Sequence, residues 1–372
     1  MRKILTENLE EREVEIGAKL AMMRRWLGLM NAGAIRLRGS DWFSWATAGG
    51  SNVVLMASET GVAEVLVTHK EAYVLTNEIE ADRLKHEEVQ YGYQWSTVPW
   101  AHPERRELFV NDIANGGRIL SDKPGMNEDF MPESCFVERL VLFESEQERY
   151  RIVGRLAAEA MSEVMQAAQP GWTEYELAGA GAEALWGRGL HPTLTLAAGE
   201  ERLSKYRHPT PTMARLGAEG MLVFCARGFG LYANLTRFVR FQPASEQQSR
   251  LQTAIMVVEA AALQACRVGQ PLSSVYHILD KIYRAQGFPD AIRAHHQGGI
   301  TGYASRELMV MPEEEVLLQD GMALAFNPSL PGMKIEDTFL LQAGNLENLT
   351  FDPEWPSIMH AGRQRPLPLE VL

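Results

Sequence analysis

Cysteine is scarce in this chain. Cys135, Cys225 and Cys266 are the only three thiols in 372 residues. An odd number spread so widely excludes a disulfide framework and any cysteine-rich zinc site, and a reducing cytoplasm is the expected setting. Positive charge is also in deficit: 36 Lys and Arg stand against 48 Asp and Glu, a formal net charge of −12. That field repels a phosphate backbone, so nucleic acid is not an expected partner. The first twenty residues carry Arg2, Lys3, Glu7, Glu10, Glu11, Arg12 and Glu13 and leave no room for an apolar signal core. No later run reaches about 18 strongly apolar residues, so no membrane partner is expected either. No glycine-rich phosphate loop follows a strand, since Gly228-Phe-Gly230 is too short and opens no helix; no cofactor is expected.

What remains is a globular composition, 46% hydrophobic and 23% charged, long enough for two domains at roughly 150 residues each. The first segment is a charged helical pattern to about Asn31, with Ile16, Leu20, Met23, Trp26 and Leu27 recurring at steps of three and four. Asn52–Met56, Glu64–Val67 and Ala72–Leu75 read as short strands of a small mixed sheet. The polar stretch from Pro103 to Glu133 contains the exit from this domain, giving domains 1–145 and 146–372. After it come long helices announced by capping boxes: Ser145-Glu-Gln-Glu148, Thr173-Glu-Tyr-Glu176 and Ser245-Glu-Gln-Gln248. Helix, break, helix and a β-rich run (Met221–Phe224) recur about 100 residues later, ending at Met322–Phe326, which points to an internal duplication with a site at the seam.

Several motifs in order carry a family resemblance: Gly171-Trp-Thr-Glu174, Gly199 followed by His208-Pro209, Gly230 to Arg237, Gly298-Gly-Ile-Thr-Gly302 with Glu307, Asn327-Pro328 and Ile335-Glu-Asp337. Together they resemble the creatinase, prolidase and methionine aminopeptidase family. The resemblance implies an α+β chain with the pita-bread fold, a duplicated α/β half-barrel preceded by a smaller creatinase-N-like α/β domain, and it implies a homodimer. The peptidases of that family hold two divalent metals with two Asp, one His and two Glu, because paired hard cations need oxygen-rich ligands. Against that pattern this chain has Asn234 for one Asp, no carboxylate between Met221 and Leu231 for the other, Gln297 or Gly298 at the histidine unless His296 slips in, and Asn327 for the first Glu. Only Glu336 remains, and the substrate-side histidine beyond the turn is replaced by Arg306. No metal centre is therefore expected.

His208 matches the histidine that faces the substrate, the acid/base residue of metal-free creatinase, and imidazole can take and return a proton near neutrality. Glu336 and Glu307 are the other candidate catalytic residues. Arg237, Arg306, Arg227, His296, Tyr303, Asn234, Asn327 and Gln297 are candidate substrate-binding residues; guanidinium in place of carboxylate favours an anionic ligand. The neighbours His295 and His296 are expected to point apart, as adjacent residues of an extended chain do, and so not to share a metal. The leading expectation is a metal-independent hydrolase or lyase acting on a C–N or related bond of a small carboxylate-bearing amino-acid derivative. An Xaa-Pro peptidase with a rearranged single-metal site and a non-catalytic binding domain are the alternatives.

Overall fold

The computed structural model describes residues 9–372; the start of the opening helical pattern, before Leu9, lies outside them. The chain divides into two compact units, Met1–Arg139 and Leu140–Leu372. Among the described residues no helix is long and apolar enough to cross a membrane.

The first unit runs α1 (Leu9–Met30), β1 (Ala34–Gly39), α2 (Ser40–Ala46), β2 (Thr60–Thr68), β3 (Ala72–Asn77), α3 (Ala81–Glu87), β4 (Gln94–Val98), α4 (Glu104–Ala114), β5 (Ile119–Ser121), β6 (Asp129–Phe130) and α5 (Glu133–Arg139). Its six strands form one sheet in the order β4-β3-β2-β1-β5-β6. The apolar stripe of α1 is buried as its spacing predicts, with Met23 and Leu27 fully enclosed. The reading of Asn52–Met56 as a strand is incorrect. Those residues form a loop in which Val54, Leu55 and Met56 are exposed. Asn52 is buried there and donates from Nδ2 to the Ala63 carbonyl at 2.7 Å. The strand that lies beside β2 is β1, whose arginines hide its apolar character. Arg36 is buried, its guanidinium meeting Glu64 at 2.6 Å and Glu107 at 2.6 Å. Paired charge substitutes for the expected apolar residue.

The second unit runs α6 (Glu144–Ala167), α7 (Glu174–Gly187), β7 (His191–Gly199), α8 (Glu200–Leu203), β8 (Glu219–Gly228), β9 (Leu231–Arg240), α9 (Glu246–Ala265), α10 (Ser273–Ala285), α11 (Ala291–Ala294), β10 (Gly298–Thr301), β11 (Leu308–Met309), β12 (Ala323–Phe326), β13 (Ser329–Leu330), β14 (Met333–Lys334), β15 (Asp337–Gln342), β16 (Asn345–Asn348), β17 (Ser357–His360), β18 (Arg363–Pro366) and β19 (Leu369–Glu370). The caps at Thr173 and Ser245 form as boxes: each hydroxyl accepts the third residue's N–H at 3.2 Å, and Glu176 and Gln248 return the bond. The first box is shifted, because α6 begins at Glu144 and it is Glu146, not Glu148, that accepts a cap N–H, from Phe143 at 2.7 Å.

Each helix pair leads into its own sheet, β19-β9-β8-β7 after α6 and α7 and β11-β10-β12-β15-β16 after α9 and α10. This is the duplicated pita-bread arrangement. The sheets meet where β9 runs beside Glu336 and β15. Thr236 N donates to the Glu336 carbonyl at 3.1 Å and Asn234 N to the Thr338 hydroxyl at 2.8 Å. Every side chain discussed next projects from this junction or from the loops beside it.

Candidate active site

Glu336 is 2% exposed, and its carboxylate is surrounded by donors. Oε1 accepts from Arg306 Nη2 at 2.6 Å, and Oε2 meets Lys334 Nζ at 3.0 Å and the Thr236 hydroxyl at 2.9 Å. Burial by itself would raise this pKa, but the ammonium and the guanidinium outweigh it and hold the carboxyl at about 2. A carboxylate so depressed stabilises the fold above its ordinary pKa of about 4.5 and loses that contribution as pH falls towards 2. Glu336→Gln should therefore differ most from the parent in urea-unfolding free energy above pH 5, and the difference should shrink steadily between pH 4.5 and 2.

Three histidines lie beside this group. His208 sits in the loop after α8, exposed on one side, and its Nε2 is 2.8 Å from Nε2 of buried His295. The ring of His296 stacks on His295 with centroids 4.4 Å apart and stands 5.3 Å from His208. The expectation that the two neighbouring rings point apart is wrong. His295 ends α11 in an extended conformation and the strand begins only at Gly298 with φ +87°, so the alternation of a paired strand does not apply to them. Burial, with the charge of Lys334 adding to it, pushes His295 down to about 2; burial and then Arg306 push His296 down to about 4. His208 is lowered as well, first by burial and then by Lys334. All three are neutral imidazoles near neutral pH.

The other expected site residues divide into two groups. Asn234 and Asn327 are buried at the junction, and the side-chain carbonyl of each has no hydrogen-bond partner. Arg306 Nε is likewise buried and unpartnered. The remaining candidates have neighbours of their own. Arg237 reaches Asp337 at 2.8 Å and the Thr350 carbonyl at 3.1 Å, so it locks strands together instead of offering a substrate anchor. Gln297 accepts from Tyr283 at 3.0 Å and donates to the His295 carbonyl. The Glu307 carboxylate takes the N–H groups of Tyr303 and Ala304 at 2.8 and 3.1 Å, clamping the loop that carries Arg306. Arg227 follows Cys225 by two residues on β8, and its guanidinium lies over the Tyr232 ring. The Tyr303 hydroxyl donates to the buried Glu146 carboxylate. Tyr303→Phe should accordingly cost about 1.5–3 kcal/mol of stability in chemical unfolding, the usual worth of a hydrogen bond to a charged group, and leave ligand binding intact.

Two residues of the site escape the sequence reading. Lys334 supplies the second cation on Glu336. Cys225 stands directly across the hairpin from Asn234, within the span that lacks a carboxylate. Burial pushes the Cys225 thiol up to about 11, so it is protonated near neutral pH.

Comparison with known proteins places this geometry in context. The model of metallopeptidase family M24 matches residues 148–343, more than half of the chain, and the chain belongs to that family. An uncharacterized peptidase of Staphylococcus aureus (strain MW2) is 27% identical over 124 residues, 32% of this chain and 35% of that protein. The chain thus matches about a third of the length of this curated relative. Among solved structures, the prolidase from Pyrococcus horikoshii OT3 superposes with a TM-score of 0.75 at 16% identity, covering 90% of this chain and 98% of that one. The Xaa-Pro dipeptidase from Bacillus anthracis superposes with a TM-score of 0.76 at 14% identity, covering 96% and 100%. Both likenesses are of fold, and they match the pita-bread architecture.

The family's name implies metal, and the donor set at the junction does not fit a pair of divalent ions. Such a pair needs several carboxylates converging on it. Here Asn234 and Asn327 are uncharged amides, and Asp337 is committed to Arg237 and Arg365, each at 2.8 Å. Glu336, the one remaining carboxylate, already carries two cations of the protein's own. A divalent ion at Glu336 would have to displace both, leaving Lys334 buried without its counter-charge.

Proposed function

We propose that this member of family M24 works without a metal pair, as a hydrolase or lyase that breaks a C–N or related bond in a small carboxylate-bearing amino-acid derivative. The observation that carries this reading is the triad Lys334–Glu336–Arg306, in which ammonium and guanidinium occupy the carboxylate that would otherwise hold metal. Two cations against one carboxylate leave the junction with one net positive charge, which favours an anionic ligand, and the free Nε–H of Arg306 supplies a directed donor for it. The unpartnered carbonyl oxygens of Asn234 and Asn327 can accept N–H groups from the same ligand; unmet, each is a costly buried acceptor.

His208 is the acid/base residue. Its Nε2 contact with His295 requires one of the two neutral rings to carry the shared proton, so a proton taken from a nucleophilic water, or from a carbon beside the bond to be broken, has a place to go and a donor from which to return to the leaving nitrogen. Glu336 acts on this chemistry by holding Lys334 and Arg306 in position. The test is an NMR survey of N-acyl, N-carbamoyl and N-amidino amino acids with chelator present throughout. Turnover that survives chelation, and whose KM rises at least tenfold in Arg306→Gln, is expected; turnover that appears only when Mn²⁺ or Co²⁺ is added would overturn the reading.

A further inference from the structure

The ligating nitrogens of His208, His295 and His296 all lie within 4.8 Å of one another. As a set of three imidazoles this group differs in its donors from the Asp–Asp–His–Glu–Glu pattern of the family. It draws on the exposed loop after α8 and on the two residues that follow α11, and contains no carboxylate. Two nitrogens bound to one tetrahedral zinc ion sit about 3.4 Å apart, given bond lengths of about 2.0–2.1 Å. The 2.8 Å contact between His208 and His295 and the stacking of His295 on His296 are within a small adjustment of that spacing. His208 can make it, because its loop side is exposed, while His295 is held at 8% exposure.

The chemistry of the donors points the same way. Imidazole must be neutral to ligate, and three neutral imidazoles with an open fourth position suit zinc, nickel or copper but not the hard ions that carboxylates hold. His295 is more than nine-tenths buried, and Nε2 is the nitrogen it turns to His208. Lys334 and Arg306 oppose a cation here, but both are already neutralised in part by Glu336, and the affinity of imidazole for borderline ions is not primarily coulombic.

We propose that His208, His295 and His296 form a mononuclear site for a borderline transition-metal ion, Zn²⁺ being the type, and that the ion holds the site in an inactive state by taking His208 away from proton transfer. Binding and the metal-free reaction then exclude each other. The ion competes for one imidazole and leaves the Lys334–Glu336–Arg306 group in place.

Equilibrium dialysis of the chelator-treated full chain against Zn²⁺, Ni²⁺ or Mn²⁺, followed by elemental analysis, tests this without any substrate. One Zn²⁺ or Ni²⁺ per chain and no Mn²⁺ are expected, with affinity falling at least 100-fold in His208→Ala and in His295→Ala. His208→Ala changes only a partly exposed loop residue, so it keeps the test sound if His295→Ala fails to fold. Co²⁺ substitution adds a direct readout: the intense visible bands of tetrahedral Co²⁺ are expected in the parent and absent from the His208 variant. Lack of uptake, or uptake that survives both histidine substitutions, would overturn the proposal. None of these results depends on turnover, so they separate this site from the reading of the reaction above.

Discussion

Replacing Lys334 with methionine should destabilise the protein by about 3 kcal/mol and raise the Glu336 pKa, because a fully buried carboxylate then loses one of its two cations. Removing one partner of a buried pair typically costs about 3–5 kcal/mol. The lower end applies here, since Arg306 at 2.6 Å and the Thr236 hydroxyl at 2.9 Å remain. The informative companion is Lys334→Met with Glu336→Gln. Once both charges are gone, the part of the penalty that comes from the Lys334–Glu336 pair should disappear, while Arg306, left without its carboxylate, keeps the double variant below the parent. A double-mutant cycle by urea unfolding measures the difference. If the two substitutions add without coupling, Lys334 is not the counter-ion of Glu336.

The larger effect on chemistry belongs to His208. General acid/base catalysis contributes about 10²–10⁴-fold to a rate, so His208→Ala should lower kcat by that factor on whichever amino-acid derivative the survey identifies. KM should change little, because Arg306 and the two asparagines bind the ligand through other atoms. His208→Gln should be as slow as the alanine variant, since an amide keeps hydrogen bonding but cannot carry the proton. A kcat within threefold of the parent in either variant would remove His208 from the mechanism, whatever happens to KM.

Much of the fold is legible in the sequence because local rules and global packing agree there. Thr173 and Ser245 start helices where their boxes predict, and the β-rich runs after each helix pair become the strands of two sheets. The misreadings arise where polar residues are buried in pairs. Arg36 masks a strand, and Arg237 looks like a ligand anchor until Asp337 is seen beside it. In the site, His208, Glu336, Asn234, Asn327 and Arg306 come together, whereas Tyr303, Gln297 and Glu307 are bound to neighbours that no local pattern reveals. Lys334 was open to inference. It lies two residues before Glu336 on an extended run, and alternation puts i and i+2 on one face; that spacing signals a buried ion pair once Glu336 is placed inside. Cys225 depends on the hairpin register, which pairs it with Asn234 and which no local pattern reveals.

The central claim is that Lys334 and Arg306 stand on Glu336 in place of divalent ions. Crystals of the full chain grown with excess Mn²⁺ and measured for its anomalous signal test it most directly. The account predicts no manganese peak at Glu336, with Lys334 Nζ and Arg306 Nη2 both still within hydrogen-bonding distance of its carboxylate. Two manganese peaks about 3.5–4 Å apart, bridged by Glu336 and with the Lys334 side chain swung away, would contradict it.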